Sequence, residues 1–269
     1  MKRFWVFIAI VILGGVVFFE RTAIRDLVSS VSKEPLPIAV TYREASGQPT
    51  STVKDVVDVQ RPAPQTAPAP TANTNKPLVT VTNKALNLAV PFQSQAPFGD
   101  WSEPYENGCE EASIIMVDYY LRAASLSNQQ MKDAIDAQVA WQVQNWNGHE
   151  DLSIEKVVEL AKAFYPDYTM QILPNLTPET IKQQLVLGRP VIAPSAGREL
   201  GNPNFRGQGP LYHMLVVKGY TADGKFITND PGTRNGADYV YTSSVLMNAI
   251  NDWGKTGLSG EKTGLVMYK

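Results

Sequence analysis

Tyr212-His213-Met214-Leu215-Val216-Val217-Lys218-Gly219-Tyr220, then Thr221-Ala222-Asp223-Gly224, then Lys225-Phe226-Ile227-Thr228-Asn229-Asp230 and Pro231, is the stretch that decides the fold. Two runs, His213 to Tyr220 and Lys225 to Asp230, flank Asp223-Gly224, and Asp-Gly between apolar runs is a strong hairpin signal. Pro231 has no N–H to offer a ladder, so it ends the second strand. In an antiparallel hairpin the start of the first strand and the end of the second lie at the same end. His213 and Asp230 are therefore brought together although they are seventeen residues apart.

Outward from this hairpin the pattern divides the chain in two. Pro190 to Ala193 is a short apolar run suited to a buried strand, and Leu265 to Tyr268 reads as a closing strand. Val245 to Trp253 reads as a helix. Ser195 to Tyr212 carries Gly197, Gly201, Gly207 and Gly209 and leads directly into His213; it is either a flexible connection or a lid over a cleft. The upstream half is helical. Ala112, Ile115, Met116, Tyr119 and Tyr120 fall at helical spacing; Ser127 caps a helix from Asn128 to about Gln138. Ser153 caps another, stopped by Pro166. Thr177-Pro178-Glu179 opens a third, which Gly188 closes. Leu86, Leu88, Val90 and Phe92 alternate along an edge strand that contains Pro91. Helices first and an antiparallel sheet second make an α+β fold of two lobes.

The helical lobe carries Cys109, the only cysteine in 269 residues. It stands where the turn-rich segment Pro97, Gly99, Pro104, Asn107 and Gly108 gives way to a helix. Free N–H groups and the helix dipole there stabilise a thiolate. With His213 as base and Asp230 as orienter, Cys109 completes a nucleophile–base–acid set. An oxyanion needs donors. The Cys109 N–H is one, and Gln93 or Gln95, both at the end of the edge strand, could supply a side-chain amide. Glu110 and Glu111 follow in the first helical turn, where acids suit the dipole but oppose a neighbouring thiolate. They read as helix N-terminal acids or as a reader of a basic substrate group. His149, in Gly148-His149-Glu150-Asp151 ahead of a helix, reads as a surface or turn residue; Trp141 and Trp146 read as packing.

Four segments in order resemble a known family: Val90-Pro91-Phe92-Gln93-Ser94-Gln95; Asn107-Gly108-Cys109-Glu110-Glu111-Ala112-Ser113; Tyr212 to Tyr220; and Thr228-Asn229-Asp230-Pro231. They are similar to the bacteriocin-processing, double-glycine leader peptidases, the thirty-ninth cysteine peptidase family, over about Leu86 to Lys269. The resemblance implies a papain-like fold with Cys109 as nucleophile, His213 as base and Asp230 as orienter. It also implies Gln95 as the oxyanion-hole glutamine, because that residue ends the Val-Pro-x-x-x-Gln pattern. One departure is plain: the family often places Gly-Pro after the nucleophile, where this chain has Glu110-Glu111. No transporter membrane region or nucleotide-binding motif accompanies the domain, so leader processing during export is not implied. A cysteine peptidase acting on a peptide or protein is the expected function. The alternatives are an amidase or acyltransferase on cell-wall peptides, and an inactive binding module.

At the other end, Met1-Lys2-Arg3 precedes Phe4 to Phe19, which holds only apolar side chains and glycine until Glu20 and Arg21. Sixteen helical residues reach about 24 Å. With positive flanks and no small-residue cleavage site, this predicts an N-terminal transmembrane helix over residues 1–21. The expected placement is single-pass in the cell membrane with the C-terminal domain outside the cytoplasm; the alternative is secretion after signal cleavage. Residues 22–60 read as a juxtamembrane stalk, and 61–77, with five prolines, as an extended linker. That leaves 78–269 as the peptidase-like domain. The whole chain holds 24 basic and 26 acidic residues; positions 34–269 hold 19 and 24, a mildly acidic balance that gives no reason to expect nucleic acid. One cysteine and two histidines exclude a disulfide framework and a Cys- or His-rich metal centre, and no cofactor is expected.

Overall fold

In the computed structural model, which describes residues 35–47 and 84–269, the hairpin is the hub of the sheet. In chain order the elements are β1 (Ala39–Val40), α1 (Tyr42–Ala45), β2 (Leu86–Leu88), a 3-10 turn (Tyr105–Asn107), α2 (Cys109–Leu121), α3 (Asn128–Trp146) and α4 (Ile154–Phe164). There follow β3 (Thr169–Leu173), α5 (Pro178–Val186), β4 (Val191–Ala196), α6 (Gly197–Leu200), β5 (Tyr212–Tyr220), β6 (Phe226–Asn229) and β7 (Tyr239–Tyr241). The chain closes with α7 (Ser243–Ala249), the two-residue strands β8 (Trp253–Gly254) and β9 (Gly257–Leu258), and β10 (Gly264–Tyr268). The main sheet runs β1-β2-β5-β4-β10-β3, with β6 pairing β5 and β7. Every residue of β5 is buried, because β4 and β6 pair with it and α2 packs on it. The architecture is α+β, as expected.

The β5–β6 ladder is not uniform. Tyr220 faces Phe226 and Gly219 faces Ile227, but Val217 faces Thr228 and Val216 faces Asn229, so Lys218 is an extra residue in a bulge. A one-residue slip moves side chains to the other face of a sheet. Continued from the turn, the first register would put Asp230 opposite Val216, on the face away from His213. After the bulge Asp230 falls opposite Leu215, on the face His213 shares. Gly219 permits the bend beside β2: a Cβ there would stand 2.3 Å from the Leu86 carbonyl oxygen.

Several boundaries differ from the sequence reading, each for a local reason. The strand expected over Leu86–Phe92 stops at Leu88 and is not an edge, because β1 lies parallel on it, with Ala39 against Asn87 and Val40 against Leu88. Part of the segment expected as a stalk thus belongs to the compact unit Pro37–Lys269, and Tyr42 is buried edge-on against Tyr120. The helix expected to end near Gln138 continues to Trp146, where Asn147 caps it in the left-handed conformation. Trp141 and Trp146 pack against each other at 5.0 Å, as expected of packing residues. The helix expected over Val245–Trp253 ends at Ala249. Beyond it, Asp252 turns back to accept the Ile154 N–H at 3.0 Å, capping α4 where Ser153 makes no side-chain cap. Within Ser195–Tyr212, Ser195 and Ala196 end β4 and Gly197–Leu200 form α6, leaving 201–211 as the loop.

The single-pass membrane placement is corrected: among the described residues no helix is long and apolar enough to cross a membrane. The run Phe4–Phe19 that carried that expectation, and the linker 61–77, lie outside the described residues.

Candidate active site

Cys109 is the first residue of α2, delivered by the 3-10 turn Tyr105–Asn107 and Gly108. The first helical hydrogen bond runs from the Ala112 N–H to the Gly108 carbonyl at 3.1 Å. The N–H groups of Cys109, Glu110 and Glu111 therefore precede the helical ladder and carry the positive end of the dipole. Cys109 and His213 line one cavity of about 410 Å³, together with Gln95, Trp101, Asp151 and Phe205.

The sheet side of this cavity is fully wired. His213, 2% exposed, has Nε2 2.8 Å from Asp230 Oδ1. The Gly232 N–H donates to the same oxygen at 3.1 Å. The other oxygen, Oδ2, accepts from Tyr241 Oη at 2.6 Å and Asn202 Nδ2 at 3.0 Å. Burial alone would raise the Asp230 pKa, but His213, Tyr241 and Asn202 outweigh it and hold it below the ordinary carboxylate value. An ionised Asp230 requires the proton on His213 Nε2, which leaves Nδ1 as the acceptor of the ring. Phe205 stands edge-on to the imidazole at 5.3 Å, and a Cβ on Gly232 would come within 2.8 Å of His213 Cε1. The ring is held on both sides.

The helical side is wired differently. The Cys109 thiol donates to Glu110 Oε2 at 3.0 Å, and Glu110 Oε1 accepts the Leu152 N–H at 3.0 Å. Burial, then the Glu111 and Asp151 charges, push the Glu110 pKa up to about 8 despite its two hydrogen bonds. Burial, followed by Glu110, pushes the Cys109 thiol well above its usual range. Glu111 accepts from Gln142 Nε2 and lies 3.5 Å from His149 Nε2. His149 is thus not the surface residue expected: its side chain is 8% exposed. Burial disfavours the imidazolium, but Glu111, Glu110 and Glu103 together raise its pKa above the ordinary histidine value.

The two glutamines separate. Gln93 turns away to the Leu126 carbonyl at 3.0 Å, whereas Gln95 lines the cavity. The Gln95 amide nitrogen is nonetheless engaged by the carbonyls of Tyr105 at 3.0 Å and Glu106 at 2.9 Å, so it clamps the turn that delivers Cys109. This is not the free donor expected of an oxyanion-hole glutamine. Its backbone N–H donates to the Pro231 carbonyl at 3.0 Å, tying the turn to the residue after Asp230.

The model of the Peptidase_C39 like family matches residues 87–260, which span all of these side chains. The chain belongs to this family. Membership in this peptidase family agrees with the resemblance carried by the four sequence segments. Among solved structures, a protein from Bacillus anthracis described as a C39-like peptidase is 16% identical, with a TM-score of 0.46, covering 69% of this chain and 98% of that one. A fragment of prointerpain A from Prevotella intermedia is 12% identical, with a TM-score of 0.32, covering 64% and 49%. Likenesses this distant transfer no chemistry. No curated protein matches the chain.

Asn202, Tyr241 and Gly232 were not singled out by the sequence. Pro231 marks the end of the strand but says nothing of the imidazole above Gly232, and Asn202 and Tyr241 carry no local signal at all. Among the described residues no group of three or more His, Cys, Asp or Glu side chains could hold a metal ion.

Proposed function

We propose that the chain is a cysteine peptidase in which Cys109 attacks a peptide carbonyl, His213 moves the proton and Asp230 holds the imidazole. The observation that carries this reading is the shared cavity: a cysteine at a helix N-terminus and a histidine 2.8 Å from a buried, ionised aspartate face the same space. In the first step the thiol proton passes from Sγ to His213 Nδ1, and the sulfur bonds to the carbonyl carbon. The carbonyl electron pair moves onto oxygen, which accepts a hydrogen bond from the Cys109 backbone N–H. Collapse expels the amine, which takes the proton from His213; water then repeats the sequence and frees Cys109. Gln95 contributes by holding the Tyr105–Asn107 turn, and serves the oxyanion directly only if substrate draws its amide from one of its two carbonyls.

A second reading, an inactive binding module, is favoured by one observation: the thiol donates to Glu110, and no hydrogen bond joins it to His213 among the described residues. Hydrolysis of an unstructured protein substrate separates the two. For a peptidase, His213→Ala lowers the rate by about 10²–10⁴-fold, the contribution of a general base, and Cys109→Ser abolishes turnover. A wild-type protein that binds peptides and cleaves none would leave the binding module standing.

A further inference from the structure

The Cys109–Glu110 contact gives the proposed nucleophile a second control, one that rests on the peptidase reading above. Glu110 is 1% exposed and is fixed from two sides, by the thiol at 3.0 Å and by the Leu152 N–H at 3.0 Å. The charged and titratable groups that bear on it are Glu111 from its own helix, His149 and Asp151 from the loop before α4, and Tyr212 from β5. Tyr212 donates its own hydroxyl to the Leu152 carbonyl at 2.8 Å and brings no compensating cation. Of the two histidines, His149 sits against Glu111 at 3.5 Å, and His213 lines the same cavity as Cys109 and takes the thiol proton in the working state. A thiolate beside an ionised Glu110 would place two negative charges in contact, away from water, where Coulomb repulsion is strongest. A thiolate beside a protonated Glu110 gains a hydrogen bond instead.

We propose that Glu110 is a positioning acid that must be protonated for Cys109 to ionise. In the working state Glu110 donates its carboxyl proton to Sγ as a hydrogen bond and keeps it, while the thiol proton goes to His213 Nδ1. In the resting state Glu110 is a carboxylate, the thiol remains S–H and donates to it, and the nucleophile is silent. Loss of one proton from Glu110 switches the first state to the second. The residue after the nucleophile therefore sets the alkaline limit of the site.

Because Cys109 is the sole cysteine, iodoacetamide labelling of the full chain reports on it alone, with Cys109→Ser as the blank. The wild-type labelling rate is expected to fall by about tenfold per pH unit above a break near pH 8, the Glu110 value. In Glu110→Gln, which keeps a donor and cannot ionise, the rate stays level or rises across the same range, and thiolate absorbance follows it. Superimposable profiles for the wild type and Glu110→Gln would overturn the proposal. If Glu110→Gln does not fold, Glu111→Gln serves: removing that charge moves the break to lower pH, and an unmoved break overturns the proposal equally. His213→Ala, labelled in parallel at neutral pH, speaks only to the peptidase reading, so the two can fail separately.

Discussion

The two walls of the cavity hold their charges by opposite means. On the sheet wall, Asp230 is buried with four donors around it and stays ionised below its ordinary pKa. On the helical wall, Glu110 is equally buried with two donors and two acidic neighbours, and its pKa rises to about 8. Burial penalises both carboxylates alike; the number and charge of the partners decide the sign. One carboxyl is built to carry charge and the other to shed it.

The comparison breaks most visibly at Asp230. Asp230→Ala leaves His213 Nε2, Tyr241 Oη and the Gly232 N–H without their acceptor, and Asn202 Nδ2 with Tyr241 Oη alone. It is expected to cost about 3–5 kcal/mol, as for other broken buried pairs, read as a fall in the urea midpoint. A loss no larger than that of a surface substitution would mean that the four bonds do not act together. Next comes pH. The folded pKa of Glu110 is raised, so its stabilisation is complete below the ordinary value of 4.5 and is lost as pH climbs through about 8. Asp230 is depressed, so its contribution is present above its ordinary value of 3.8 and is lost as pH falls through the lower folded value. In urea titrations Glu110 should contribute a fall of roughly 1.4 kcal/mol per pH unit between about 4.5 and 8, read as the difference between the wild type and Glu110→Gln, since Asp252, raised to about 6, titrates in both. The smallest effect is Tyr241→Phe, which removes one of four donors. It should cost about 1 kcal/mol and raise the Asp230 pKa, seen as an acid limb of stability displaced to higher pH.

The sequence disclosed one wall better than the other. Asp223-Gly224, the apolar runs and Pro231 were enough to bring His213 and Asp230 to one end of a hairpin, and the turn before Cys109 was enough to set it at a helix start. These are local signals with fixed spacing. Asn202 reaches Asp230 from a loop 28 residues away, and Tyr241 from the end of β7, 11 residues away, and neither placement is encoded in a local periodicity. His149 was misread for the same reason: its imidazole lies against Glu111, in the first turn of a helix far upstream in the chain. Glu110 was visible as an acid beside a nucleophile, but the face it presents depends on where Leu152 passes. β1 escaped notice because two residues carry no pattern, and they pair with β2 across a long interval of chain.

The extra residue at Lys218 makes the hairpin a counting device. Within the paired stretches of this hairpin, Val217–Tyr220 and Phe226–Asn229, a change of one residue in length reverses which face Asp230 occupies, and a change of two restores it. Length in this segment is therefore read by parity. Relatives that keep the histidine–aspartate pair should differ here in steps of two, or show a compensating bulge. A single-codon insertion could silence the site while every residue that lines it remains unaltered.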